Sequence, residues 1–125
     1  MHHNHIRSHH NKMRSNNNGV KLPKHQRLRV CHVNIRSLNS CYHEFCDYIN
    51  KENFHLVAIS ETWLSSNMPD YLYALPNYSL IRSDRPSRGG GVCWYVSSNI
   101  KYKVISTPPC HSSKLEQLWI KIEIN

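Results

Sequence analysis

No aspartate or glutamate occurs in residues 1–30, although seven lysines and arginines do: Arg7, Lys12, Arg14, Lys21, Lys24, Arg27 and Arg29. The rest of the 125-residue chain sets nine basic residues against eight acidic ones, so nearly all of the formal charge of +8 belongs to one segment. A basic footprint usually describes a whole nucleic-acid-binding domain. Here the body is close to neutral. The chain also lacks any run near the ~18 apolar residues of a membrane span, so no membrane partner is expected. No apolar stretch follows the first basic residues, and the segment does not read as a secretory signal. Cys31, Cys41, Cys46, Cys93 and Cys110 form no Cys-x-x-Cys and no paired Cys/His spacing of a zinc site. An odd number of cysteines without a signal segment predicts reduced thiols in a soluble, intracellular protein. Internal repeats are absent, and the length suits one domain.

What is present falls into two parts. Residues 1–27, "MHHNHIRSHHNKMRSNNNGVKLPKHQR", are rich in His, Asn and Lys/Arg and poor in large apolar side chains. Such a segment cannot bury enough apolar surface to offset its ordering entropy, and the composition predicts a disordered tail. Its irregularly spaced histidines offer no fixed coordination geometry. A salt-sensitive attraction to nucleic acid is the functional alternative to a merely solvated tail.

From residue 28 the pattern is that of a folded body. "LRVCHV" (28–33) reads as a strand ending at Asn34. From Leu38 the period changes: Leu38, Tyr42, Phe45, Tyr48 and Ile49 mark one face of a helix of about three turns, with Asn39 or Ser40 as candidate caps. "LVAIS" (56–60) is a second strand with Glu61 directly after it. Strand, helix and strand in that order make a βαβ unit with parallel strands and a right-handed crossover. The C-terminal ends of such strands share one sheet edge, where open α/β sheets bind ligands. Asn34 and Glu61 are therefore expected side by side. "TWLSSNMPDYLYALPN" reads as a loop broken by Pro69 and Pro76. "YSLIRS" (78–83) and "GVCWYVS" (91–97) flank "DRPSRGG" as a hairpin. "IKYKVIS" (100–106) is a further strand. In "EQLWIKIEI" (116–124), Leu118, Ile120, Ile122 and Ile124 alternate with polar residues and Trp119, as in a half-buried strand.

Two readings of Asn34 and Glu61 follow from spacing alone. They are either oxygen donors for a hard cation such as Mg²⁺, or a turn cap and a solvated strand end. The glycine run in "RPSRGGGV" is no Walker A loop, because it lacks the closing Lys-Ser/Thr and lies in a hairpin. Its glycines read as permitting positive φ and close backbone approach. Arg82, Arg85 and Arg88 stand near it as phosphate contacts or as ordinary solvated side chains. Cys110-His111 sits in a proline-rich loop with no evident third partner for nucleophilic catalysis. Trp94, Tyr95 and Trp119 read as packing residues.

Taken in order, "HVNIRSL", "FHLVAISETWL", "YSLIRSDRPSRGGGVCWYV" and "LEQLWIKI" resemble the endonuclease domain of non-LTR (LINE-type) retrotransposons. That domain belongs to the endonuclease/exonuclease/phosphatase superfamily, with the apurinic/apyrimidinic endonucleases and deoxyribonuclease I. The resemblance covers residues 28–125. It implies the N-terminal part of a two-sheet, four-layered α/β sandwich that cleaves DNA phosphodiesters with Mg²⁺ or Mn²⁺. It implies that Asn34 contacts the metal–phosphate centre and that Glu61 is the metal ligand. Arg36 stands where some relatives carry an acid, so a second carboxylate is missing there. Arg36, Arg85 and Arg88 are the weaker nucleic-acid contacts expected. Asp84 and Glu116 lie in recognisable blocks without a catalytic role. The family's later Tyr-Pro, Asp-x-Asn and Ser-Asp-His motifs do not occur in these 125 residues. The expectation is thus an incomplete sandwich, inactive by itself, whose parent element is nuclear and continues into a reverse transcriptase. The alternative is a non-catalytic nucleic-acid-binding remnant led by the basic tail.

Overall fold

The computed structural model describes residues 27–106 and 115–124. The expected disordered tail, apart from Arg27, and the Cys110-His111 pair lie outside the described residues. The first strand, β1 (Val30–Asn34), leads into one helix, α1 (Leu38–Glu52), and then into β2 (Leu56–Ser60). Strands β3 (Tyr78–Ser83), β4 (Val92–Ser97), β5 (Lys101–Ile105) and β6 (Trp119–Glu123) follow. Among the described residues the architecture is mixed α/β, with two sheets and one α-helix.

The helix cap lies two to three residues earlier than expected. Ser37, not Asn39 or Ser40, is the N-cap, and its Oγ accepts the Ser40 amide at 3.2 Å. Serine at this position satisfies one of the otherwise unpaired first-turn amides. Asn53 closes the other end in the left-handed conformation, donating its amide to the Ile49 carbonyl at 3.2 Å. Asparagine tolerates that conformation better than other residues with side chains. Leu38, Phe45 and Ile49 are buried, Tyr42 is half-buried, and Tyr48 is 49% exposed. Tyr48 lies roughly 80° from the centre of the apolar stripe at 3.6 residues per turn, which puts it on the flank.

Strands β1 and β2 are parallel neighbours, with Val30 opposite Leu56 and Asn34 opposite Ser60. Strand β4 pairs antiparallel with β2 and with β3, giving the order β1-β2-β4-β3. The apolar run of β2 now has its explanation. This strand is central, and four of its five residues are buried because both faces are covered. On one face Val57, Ile59, Leu80, Cys93 and Tyr95 pack with the helix residues Leu38, Phe45 and Ile49. On the other, Leu56, Ile81 and Val96 pack with Ile100 and Tyr102, flanked by Val104, Leu118, Ile120 and Ile122. That second cluster joins the four-stranded sheet to the antiparallel pair β5-β6.

Three local expectations change. The loop after Glu61 contains a short 3₁₀ helix over Asp70–Tyr73. The alternation of β6 fades at its end, since Ile124 is 48% exposed. Trp119 is not a packing residue: it sits on the outer face of β6, 47% exposed, while Tyr95 is fully buried and Trp94 half-buried. The four described cysteines, Cys31, Cys41, Cys46 and Cys93, are free. Burial pushes the Cys31 thiol up to about 11 and Cys93 higher still, which disfavours the reactive thiolate at the half-buried Cys31 and the core residue Cys93. No helix among the described residues is long and apolar enough to cross a membrane.

Candidate metal centre

The parallel pairing of β1 and β2 brings their C-terminal ends to one edge, and hydrogen bonds stitch the edge together. Beyond the strands, the Ile35 amide donates to the Ser60 carbonyl (3.1 Å), Ser37 to Glu61 (3.0 Å) and Leu38 to Thr62 (2.9 Å). On the other side of the same segment, Thr62 donates to the Gly91 carbonyl (3.0 Å) and Trp63 to Gly90 (2.7 Å). Glu61 is thus held between the start of the helix and the glycine run before β4.

The backbone on this edge is strained. Arg36 (φ 44), Ser37 (φ 84), Glu61 (φ 51) and Trp63 (φ 55) all have positive φ without being glycine. Each such residue costs on the order of 1–3 kcal/mol and persists only where its surroundings impose it. Among the described residues the two other positive-φ residues that are not glycine are asparagines, Asn53 at the helix C-cap and Asn77 in a turn, where the conformation is cheap. The four costly positions therefore share one edge, and Glu61 lies among them.

Asn34 is exposed and Glu61 is partly buried. Among the described residues no cluster of three His, Cys, Asp or Glu could enclose a metal. A carboxylate with a neighbouring amide still fits Mg²⁺ or Mn²⁺, which keep several waters and take phosphate oxygens as ligands. It does not fit a structural zinc, which needs four protein donors. One step back along the strands, His32 Nε2 and Ser60 Oγ are 2.8 Å apart. Ser60 is 2% exposed and out of a substrate's reach, so this pair serves as a tie between β1 and β2.

The arginines separate sharply. Arg36 is exposed beside Asn34. Arg85 is engaged with Glu116: Nε lies 2.5 Å from Oε1, and the other carboxylate oxygen accepts the Gly91 amide at 3.2 Å. Arg88 is exposed on the loop, and its carbonyl accepts a long bond from Arg85 (3.4 Å). Arg82, suggested above as a phosphate contact, is instead 2% exposed. It donates to Asp84 twice (3.0 and 2.8 Å), to Asp70 (2.9 Å), and to the Met68 (2.6 Å) and Ser65 (3.0 Å) carbonyls. Every guanidinium N–H is then matched. Burial alone would push Arg82 down, but hydrogen bonds and charge from Asp84 and Asp70 outweigh it and hold its pKa above the ordinary value.

Sequence reasoning missed this network, and the signal for it was slight. Arg82 and Asp84 alternate correctly to share one face of β3, yet nothing local announces Asp70, Ser65 and Met68 as partners. The tie between Glu116 and the glycine loop was missed for the same reason, being 31 residues from Arg85. Neither a protein-family model nor a curated protein matches the chain.

Proposed function

We propose that the chain is the N-terminal portion of an endonuclease/exonuclease/phosphatase-type domain of the retrotransposon kind, acting on DNA phosphodiesters with Mg²⁺ or Mn²⁺. The observation that carries the reading is the placement of Asn34 and Glu61 at the ends of adjacent parallel strands, on the strained edge of the sheet. A helix-covered sheet with a second sheet against its other face is also what a deoxyribonuclease I-like sandwich requires of its first half.

Glu61 would supply the anionic ligand, and Asn34 an amide able to offer oxygen to a cation or N–H to a phosphate oxygen. The bound cation would polarise the phosphoryl group and stabilise a leaving oxygen. Arg36 adds positive charge beside Asn34, which favours a phosphate over a neutral ligand. No group among the described residues of this edge is placed as a base for an attacking water. Phosphoryl transfer depends mainly on positioning and electrostatics from all sides. These residues make one side of such a site, so the chain by itself holds DNA and metal without turning over.

Supercoiled plasmid with Mg²⁺ tests this directly. The purified chain is expected to leave the plasmid supercoiled while binding a short duplex in a Mg²⁺-dependent way that Glu61→Gln weakens. Metal-dependent relaxation lost in Glu61→Ala would show a complete site and overturn the half-site reading. Duplex binding indifferent to both Mg²⁺ and Glu61 would overturn the assignment of the edge. The charge of residues 1–30 favours a second reading, non-catalytic binding led by the basic segment. In that case deleting residues 1–27 abolishes a steeply salt-dependent affinity.

A further inference from the structure

We infer that Trp63 is a positioning residue for Glu61, and that the glycine loop before β4 exists in part to hold Trp63 in that role. The inference rests on the reading of Glu61 as a cation ligand and assigns a task to residues outside the ligand pair. Three observations converge on it. The indole Nε1 of Trp63 donates to Glu61 Oε1 at 3.2 Å. Residues two apart in an extended segment share a side, so the indole is within local reach of the carboxylate. Here both backbones also adopt positive φ, 51 at Glu61 and 55 at Trp63, so the pair stands on a backbone that only its surroundings hold in place.

The second observation is that Trp63 belongs to neither hydrophobic cluster. It is 46% exposed, an unusual state for the largest apolar side chain immediately before the buried Leu64. A tryptophan kept at a surface usually serves its N–H as well as its ring. The third is the anchor. The Trp63 amide donates to the Gly90 carbonyl at 2.7 Å, the shortest of the bonds stitching this edge. Gly90 has φ +64, and a Cβ there would lie 2.5 Å from Arg85 Nε and 2.7 Å from Glu116 Oε1. A side chain at Gly90 would have to adopt that left-handed backbone and push aside the ends of the Arg85 and Glu116 side chains. A continuous path therefore runs from Arg85–Glu116 through Gly90 to Trp63 and ends on one oxygen of Glu61.

Fixing one carboxylate oxygen orients the other. A ligand carboxylate free to rotate must lose that freedom when it binds a cation, whereas one already hydrogen-bonded does not. Outer partners of metal ligands change affinity by about 10- to 100-fold when removed. In "RPSRGGG" Arg85 is committed to Glu116, whose other oxygen accepts the Gly91 amide at 3.2 Å, so the pair braces the glycine loop to which Trp63 is bonded.

Mn²⁺ binding by the whole chain, followed by electron paramagnetic resonance of the free ion, tests the assignment. Mn²⁺ is the probe because oxygen donors suit it and the histidines of residues 1–10 favour softer ions. Trp63→Phe keeps an aromatic ring and removes the N–H. It is expected to weaken the Glu61-dependent binding about tenfold, with the far-UV circular dichroism unchanged. Placed in a Glu61→Gln background, Trp63→Phe is expected to have no further effect, which a role in folding alone would not produce. If Glu61→Gln binds Mn²⁺ like the parent, the reading of Glu61 as a ligand fails. If Glu61→Gln weakens binding but Trp63→Phe does not, or if Trp63→Phe acts equally in both backgrounds, the positioning role fails. Gly90→Ala is a second route to the same result, since it displaces the anchor without touching the indole, and unchanged Mn²⁺ binding there would remove the glycine loop from the path.

Discussion

Replacing Arg82 with methionine tests the energetics of the buried ion network. The guanidinium is 1% exposed, Asp84 is 0% exposed and Asp70 is 27% exposed. Methionine has a similar length and is apolar, so it leaves no large cavity. It does leave the Asp84 carboxylate without its two charge-assisted bonds and the Ser65 and Met68 carbonyls without donors. Removing one partner of a buried pair costs about 3–5 kcal/mol, because an uncompensated charge stays behind. Asp70 adds little to this, since solvent can reach it. A small domain is stable by about 5–15 kcal/mol, so the loss is a large share of the whole. Equilibrium urea unfolding, followed by tryptophan fluorescence and circular dichroism together, measures it. Arg82→Met/Asp84→Leu removes both charges of the inner pair and is expected to recover part of the loss. A cost under about 1 kcal/mol for Arg82→Met, or a double variant no more stable than the single one, would refute the claim that a buried charge pair is at stake.

A further prediction concerns pH. His55 is buried at the start of β2, where its Nδ1 accepts the Arg29 amide at 2.9 Å. Burial, with some help from the Arg29 charge, lowers its pKa below the ordinary 6.5. The unfolded chain thus takes up a proton at a pH where the folded one does not. Stability from this group is full above about pH 6.5 and is lost as pH falls through the folded value. Thermal unfolding between pH 5 and pH 7 reads that slope, and His55→Asn, which keeps an acceptor but does not titrate, is expected to flatten it. An unchanged slope in the variant would place the titration elsewhere.

How much of this was legible in the sequence depended on whether the signal was local. The βαβ unit was legible because Leu38, Phe45 and Ile49 recur at helical spacing, and because "LVAIS" is an unbroken apolar run of strand length. Parallel pairing then followed from topology, and with it the adjacency of Asn34 and Glu61. The hairpin of β3 and β4 was legible from its Gly/Pro/Ser turn. Three things were not. The Ser37 cap was missed because Asn39 and Ser40 are equally good cap residues by type, and the strained backbone at Arg36 and Ser37 that decides among them has no sequence mark. The 3₁₀ turn at Asp70–Tyr73 was hidden between two prolines. The commitment of Arg82 to Asp84 and Asp70, and of Arg85 to Glu116, is tertiary, and arginines in a glycine-rich stretch look alike until their partners are seen. Composition alone would have offered Arg82, Arg85 and Arg88 equally to a phosphate. Arg82 is buried, and Arg85 is exposed but paired with Glu116, which leaves Arg88 and Arg36 exposed without such a carboxylate partner shown.

The central claim is that Asn34 and Glu61 form one side of a cation–phosphate site. Paramagnetic broadening by Mn²⁺ in nitrogen-15-labelled chain addresses it at the level of single residues. The account predicts that the Asn34 side-chain amide, the Glu61 backbone amide and the Trp63 indole broaden together at the lowest Mn²⁺ concentrations, and that Glu61→Gln abolishes this. Broadening that spares these three signals, or that persists around Asn34 after Glu61→Gln, would contradict it.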